Sequence, residues 1–246
     1  MTQLILKDLT FSYSNLNHLT SPINAKFPKG SIVAIVGING IGKSSLLKVI
    51  AKQISGELSY SGSINLKTTL LTSSLITHDL ITVSYYPQEQ YLYSNLSLPI
   101  NGREYLTAIA SISSNNIHRN DKVFNKVIHH LNLAPILHRQ IKELSLGQIN
   151  RLKLAGTLLS SINKDLFCLD EPFSNLDSSS VKSFINLIKH EEFSRVSTLI
   201  VTHAWSNTNL FANMFTHVIH ITLQGEVHSC SVQCINDELK SYYLFN

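Results

Sequence analysis

Residues Ser31 to Leu47 read Ser-Ile-Val-Ala-Ile-Val-Gly-Ile-Asn-Gly-Ile-Gly-Lys-Ser-Ser-Leu-Leu, and the fold turns on this stretch. Ser31–Val36 is a continuous, partly β-branched apolar run, the composition of a strand buried on both faces. Leu46, Leu47, Val49 and Ile50 then recur at helical spacing, so a glycine-rich loop joins a strand to a helix. Within it, Gly37, Gly42, Lys43 and Ser44 fall at the G-x-x-x-x-G-K-S spacing of a phosphate-binding loop. Glycine permits unusual dihedrals and close backbone approach. Successive N–H groups can then converge on phosphate oxygens, helped by the positive end of the following helix. Lys43 is suited to neutralise β- and γ-phosphate charge, and the Ser44 hydroxyl to ligate Mg²⁺. Gly37, Asn39, Gly40, Gly42, Lys43, Ser44 and Ser45 are the predicted phosphate-binding residues.

Working outward, Leu4, Leu6, Leu9, Phe11 and Tyr13, then Ile23–Phe27, predict short strands of a small antiparallel sheet. Ser59–Leu66 and Val83–Tyr86 predict further strands, separated by a Ser/Thr-rich surface excursion from Lys67 to Thr82. From Glu89 to Ile162 the pattern turns helical, at Glu104–Ile112, Asp121–Leu131 and Gln148–Ser160, with Pro99 and Pro135 as breaks. Leu166–Leu169, Thr198–Val201 and Val218–Ile221 return to short buried strands, with helices between them at Ser178–His190 and Trp205–Phe211. The expected architecture is α/β: a mainly parallel sheet, an N-terminal antiparallel β subdomain and an inserted α-helical subdomain. The chain is read as one domain over 1–246, with an α/β core of 1–88 and 163–246 and a helical subdomain at 89–162.

Composition excludes several classes. A chain of 246 residues can bury a full core without covalent staples. Cys168, Cys230 and Cys234 are too few and too unevenly placed for a secreted disulfide framework, which favours a reducing, cytoplasmic setting. With 20 Lys+Arg against 16 Asp+Glu, the basic residues are dispersed, so nucleic acid is not an expected partner. The start lacks the pattern of a signal peptide, and the apolar windows are too short or interrupted to span a bilayer. Membrane attachment is expected through a partner. His228, Cys230 and Cys234 fit no standard zinc spacing and are read as incidental.

A second chemical element is Leu166-Phe167-Cys168-Leu169-Asp170-Glu171, an apolar strand ending in two adjacent acids. At such a strand tip Asp170 would bind Mg²⁺, directly or through water, and Glu171 would polarise a water for in-line attack on a γ-phosphate. A third is Leu144-Ser145-Leu146-Gly147-Gln148, where a serine and a glycine precede a helix beginning near Gln148; taken by itself the run reads either as a serine N-cap with a glycine turn or as a second anion site at the helix N-terminus.

That last run resembles the signature motif of ABC-type ATPases, usually Leu-Ser-Gly-Gly-Gln, and the other landmarks of the family follow in order from about Leu4 to Leu223. The resemblance implies the RecA-like P-loop core of that family, with ATP and Mg²⁺ as cofactors. It implies that Tyr13 stacks on adenine, with Phe11 as the nearby alternative. Tyr86-Pro87-Gln88-Glu89 resembles the Q-loop, whose Gln88 reaches Mg²⁺ or the lytic water; Ser174-Asn175-Leu176-Asp177 resembles the D-loop; and His203 resembles the switch histidine at the γ-phosphate. Glu171, His203 and Gln88 are thus the implied catalytic residues, and Ser44, Gln88 and Asp170 the implied metal ligands. Ser145, Gly147, Gln148 and Asp177 would complete the nucleotide site of a second copy, in an ATP-dependent homodimer closed head to tail.

The chain departs from the family pattern at four positions: Leu146 for the first signature glycine, Asn150 where Gln is usual, Gly156 where Arg is frequent, and Ala204 in place of an acid. Because Lys43, Asp170, Glu171, Gln88 and His203 are retained, hydrolysis rather than mere binding is expected. Ser84–Leu98 and Leu131–Leu144 look like the ATPases of bacterial zinc/manganese importers. That likeness implies integral membrane permease subunits, an extracytoplasmic substrate-binding protein, and a place on the cytoplasmic face of the membrane. Importers of iron chelates or cobalamin and small exporters are the alternatives, and a non-transport ABC protein is a more distant one.

Overall fold

The computed structural model describes residues 2–13, 20–69, 75–78, 81–88, 99–113, 121–202 and 214–231. In it the decisive stretch forms strand β3 (Ile32–Val36) and helix α1 (Lys43–Ile50). All five residues of β3 are buried, but into different cores. Val33 and Ile35 join Leu46, Leu47, Val49 and Ile50 of α1, whereas Ile32, Ala34 and Val36 face the helices on the other side. This is why the strand has no polar alternation. An eight-residue helix is too short to stand alone, so α1 is held by burying its apolar side chains, worth roughly 1.5–3 kcal/mol each.

β3 lies inside a six-stranded sheet ordered β10-β9-β3-β8-β7-β6. Its partners are β6 (Val83–Tyr86), β7 (Leu166–Asp170), β8 (Ser197–Val201), β9 (His217–Ile221) and β10 (Val227–Ser231). Only β10 runs antiparallel to its neighbour; the other five strands are parallel. The parallel run puts the carboxyl ends of β3, β6, β7 and β8 on one edge, bringing together Gly37, Gln88, Asp170 and Thr202, where ligands of such sheets collect. β7 repeats the two-faced burial of β3: Leu166 and Cys168 enter one core, Phe167 and Leu169 the other.

A second sheet is antiparallel, ordered β2-β1-β4-β5, with β1 (Thr2–Tyr13), β2 (Ile23–Pro28), β4 (Leu58–Thr69) and β5 (Leu75–His78). The phase slip from Leu4 and Leu6 to Leu9 and Phe11 is a bulge inside one strand, where the register shifts against both neighbours. Asp8 takes φ 48° there and donates its N–H to Asn24 Oδ1 at 3.0 Å. Opposite it, Gly62 has φ 91°, and a Cβ on it would lie 2.3 Å from the Asp8 carbonyl oxygen. The bulge keeps all four apolar side chains on the core face. The expected surface excursion is corrected in part: β4 extends to Thr69 and the chain returns as β5, pairing Leu66 with His78 and Thr69 with Leu75. Threonine is β-branched and suits a strand as well as a loop.

Helices α2 (Gly102–Ser113), α3 (Asp121–His130) and α4 (Leu146–Ser160) occupy the chain between β6 and β7, and α5 (Ser178–Ile188) follows β7. All four pack on the sheet face opposite α1. Pro135 sits in a single 3₁₀ turn over Ala134–Ile136. Gly156 of α4 is explained by packing: a Cβ there would stand 3.0 Å from Ile109 Cδ1 and 3.1 Å from Tyr105, both on α2. Among the described residues no helix is long and apolar enough to cross a membrane. The helix expected at Trp205–Phe211 lies outside the described residues.

Candidate functional site

Gly42 precedes α1 in the left-handed region, φ 102°, a conformation that favours glycine. No described side chain caps α1, whereas α4 and α5 are capped by Ser145 and Asp177. The N–H groups at the start of α1 are thus open to an anion, which a helix N-terminus favours. Lys43 reaches back over the loop, its Nζ donating to the carbonyls of Gly37 and Ile38 at 2.9 Å each. Those partners are neutral, so a phosphate oxygen can displace them. Burial holds the Lys43 ammonium below its usual pKa, and the charges of Glu171 and Asp170 oppose that shift. Asn39 and Gly40 form the exposed crest of the loop.

Across the sheet edge, the Ser44 hydroxyl donates to Asp170 Oδ1 at 2.8 Å. Asp170 is 1% exposed. Burial pushes its carboxyl above the ordinary range, while the Ser44 hydrogen bond and the Lys48 and Lys43 ammonium groups pull it back. The Tyr85 hydroxyl is enclosed beside the same carboxylate, and burial and the Asp170 charge push its pKa well up. A hydroxyl and a carboxylate at this separation are hard oxygen donors of the kind Mg²⁺ prefers, so the residues fit that ion.

Glu171 follows Asp170 in the left-handed region, φ 51°, its N–H bonded to the Val201 carbonyl at 3.0 Å. Gln88 is exposed at the same edge, two residues beyond β6. His203, two residues after β8, lies outside the described residues. Of the two aromatic candidates on β1, Phe11 is sealed in the core and only Tyr13 is partly exposed. The Tyr13 hydroxyl pairs with Ser45 Oγ at 3.0 Å, tying that ring to the first turn of α1.

The signature segment is built as a capping box. The Gln148 N–H donates to Ser145 Oγ at 3.4 Å, and the Ser145 N–H donates to Gln148 Oε1 at 3.0 Å. The helix therefore begins at Leu146, two residues earlier than the sequence suggested. Leu146 is 43% exposed at its tip. Gly147 lies tight against its neighbour: a Cβ would stand 3.1 Å from the Asn175 carbonyl oxygen. Asp177 caps α5, accepting from Ser180 N and Ser180 Oγ at 2.8 Å each and from the Ser179 hydroxyl. These bonds hold its carboxyl far below the usual range and engage it within its own helix.

A strand-loop-helix phosphate cradle, a hydroxyl–carboxylate pair at the adjoining strand end and a capped serine-glycine helix start stand on one chain. Residues 20–174 match the family described as ABC transporter. The chain belongs to this family. It is an ATP-binding ATPase subunit of an ABC transporter. The zinc import ATP-binding protein of a Wolbachia species from Brugia malayi (strain TRS) is 33% identical over 199 residues, covering 81% of this chain and 72% of that one. A chelated iron transport system membrane protein of Yersinia pestis is 28% identical, covering 89% of this chain and 71% of that one. A lantibiotic transport ATP-binding protein of Streptococcus pyogenes is 29% identical, covering 85% and 84%. A solved ATP-binding subunit of an ABC transporter superposes with a TM-score of 0.73 at 18% identity, over 98% of this chain and 93% of that one, which speaks to the fold.

Two participants escaped the sequence reading. Lys48 lies four residues after Ser44 on α1, hence on the same helix face, and that spacing was available as a signal. Tyr85 and Tyr86 are adjacent on β6, and nothing in the sequence says which of them turns toward Asp170.

Proposed function

We propose that this ABC transporter ATPase powers the import of a divalent metal ion such as zinc or manganese. It would act at the cytoplasmic face of the membrane as an ATP-dependent homodimer beneath integral permease subunits, with an extracytoplasmic binding protein delivering the cargo. The hydrolytic part rests on one observation, the 2.8 Å bond between Ser44 and Asp170, which joins the phosphate loop to the strand-end carboxylate. The cargo is supported by the 33% identical zinc import relative. The core, 1–88 and 163–246, would hold nucleotide, and the helical subdomain, 89–162, would meet the permease.

Tyr13 offers its ring to adenine, and the N–H groups of residues 37–45 receive the phosphates. Lys43 leaves the Gly37 and Ile38 carbonyls for β- and γ-phosphate oxygens. Ser44 and Asp170, with Gln88, would hold Mg²⁺, which when bound neutralises phosphate charge. Glu171 accepts a proton from the attacking water as its oxygen bonds to the γ-phosphorus and the bond to the bridging oxygen of ADP breaks. His203 stabilises the γ-phosphate. Ser145, Gly147 and Gln148 of a second copy close over it, with the Asp177 loop at the same interface.

Glu171→Gln is expected to abolish turnover and to leave an ATP-bound dimer visible by size exclusion with light scattering; hydrolysis at the wild-type rate refutes the role. The cargo is tested by isolating the co-purifying membrane subunits and measuring ATPase stimulation in proteoliposomes. Stimulation by a zinc- or manganese-loaded binding protein is expected. Stimulation by an iron chelate favours the reading suggested by the Yersinia pestis relative. Export with no binding protein favours the one suggested by the Streptococcus pyogenes relative.

A further inference from the structure

The loop that carries Glu171 toward α5 meets the signature helix at two points, one a hydrogen bond and one a close backbone approach. Asn150, in the first turns of α4 and 1% exposed, donates its Nδ2 hydrogen to the Ser174 carbonyl at 3.2 Å. Gly147 passes so close that an added Cβ would stand 3.1 Å from the Asn175 carbonyl oxygen. Ser174 in turn folds back on the glutamate, its hydroxyl donating to the Glu171 carbonyl at 3.0 Å and its N–H to the same oxygen at 3.4 Å.

Glu171 and Asn175 both have left-handed backbones, φ 51° and 59°. For residues other than glycine such conformations persist where surrounding contacts over-determine them. The ends of the loop are pinned by the Glu171 N–H on Val201 and by the Asp177 cap on α5. Its middle is met by α4, through a buried amide that donates to the Ser174 carbonyl and is costly to leave unmatched there.

We propose that Asn150 is a positioning residue that couples the signature helix to the Glu171 loop of the same chain. A small movement of α4, when Ser145–Gln148 engage the nucleotide of a second copy, is passed through the Asn150–Ser174 bond to the backbone of Glu171. Each copy then sets its own glutamate only when its signature segment is occupied. The inference rests on the roles proposed above for Glu171 and the signature segment.

The test compares full-length chains carrying Asn150→Leu, which keeps the volume and removes the donor, and Asn150→Gln, which keeps an amide on a longer arm. Steady-state ATPase, fluorescent ATP-analogue binding and ATP-induced dimerisation in the Glu171→Gln background are read for each. For Asn150→Leu, kcat is expected to fall at least about tenfold while nucleotide affinity stays within about twofold, as the loss of one hydrogen bond from a buried amide implies. The Asn150→Leu/Glu171→Gln chain should still dimerise with ATP, and Asn150→Gln should recover most of kcat. Should the leucine variant fail to fold, Asn150→Ser carries the same comparison. An unchanged kcat overturns the inference. So does a parallel loss of nucleotide affinity or of the trapped dimer, which would make Asn150 a packing residue of the binding surface. Glu171→Gln alone retaining wild-type turnover overturns the reading beneath it, and is told apart because it appears without any change at Asn150.

Discussion

Replacing Ser44 with alanine is expected to separate metal use from nucleotide binding. The hydroxyl donates at 2.8 Å to a carboxylate that is 1% exposed, so water replaces it poorly. A hydrogen bond to a charged group contributes about 1.5–3 kcal/mol. A chain of 246 residues has an unfolding entropy near 0.5 kcal/mol/K, so each kcal/mol moves the midpoint by about 2 °C. The nucleotide-free variant should therefore melt about 3–6 °C below the wild type. If Ser44 ligates Mg²⁺ as proposed, losing that ligand should raise the half-saturating Mg²⁺ at least about tenfold, or about 1.4 kcal/mol. Binding of a fluorescent ATP analogue in EDTA should change far less, because Lys43 and the loop N–H groups remain.

The pH dependence has a definite sign. Burial places the Asp170 carboxyl above its unfolded value, so its ionisation costs stability as pH rises through the folded pKa, and the Ser44 bond lessens that cost. The gap in melting temperature should thus open as pH rises past that raised value and close on acidification. Differential scanning fluorimetry across pH and Mg²⁺ titrations of analogue binding measure both effects. An unchanged Mg²⁺ requirement, or no shift in melting at neutral pH, refutes the role of this pair.

Leu146→Gly should raise basal ATP turnover if the exposed leucine hinders closure over a second copy's nucleotide, and an unchanged rate shows it to be neutral. Asp177→Ala removes the α5 cap, at a cost of about 1 kcal/mol and hence about 2 °C in melting temperature. Its carboxyl is held below its unfolded value, so that stability is present above the ordinary Asp pKa of about 3.9 and is lost as pH falls below it. The variant should show a flatter acid limb in pH-dependent unfolding, and parallel limbs would contradict the capping bonds.

Much of the site was legible because its parts are local. The Gly37–Ser44 loop, the Asp170-Glu171 strand tip and the Ser145–Gln148 helix start are each fixed by a few consecutive residues whose backbone demands are specific to residue type. Three features were not legible. The β1 bulge is one, because a one-residue insertion leaves the apolar composition of the strand unchanged, and only Asn24 and Gly62 across the sheet reveal it. Gly156 looked like a missing arginine until Ile109 and Tyr105 were found against it. Asn150 looked like a shortened glutamine until its amide was seen on Ser174.

From its sequence alone this chain is committed to a strand-loop-helix phosphate cradle, to an α/β order of elements and to a family, since all three follow from spacing along the backbone. The tertiary structure decided that Ser44 meets Asp170 across 126 residues, that Tyr13 rather than Phe11 keeps an open face, and that the signature helix is tied to the Glu171 loop. Those contacts depend on sheet order and helix docking, which arise from burial summed over the whole core, and burial of that kind leaves no mark at any one position.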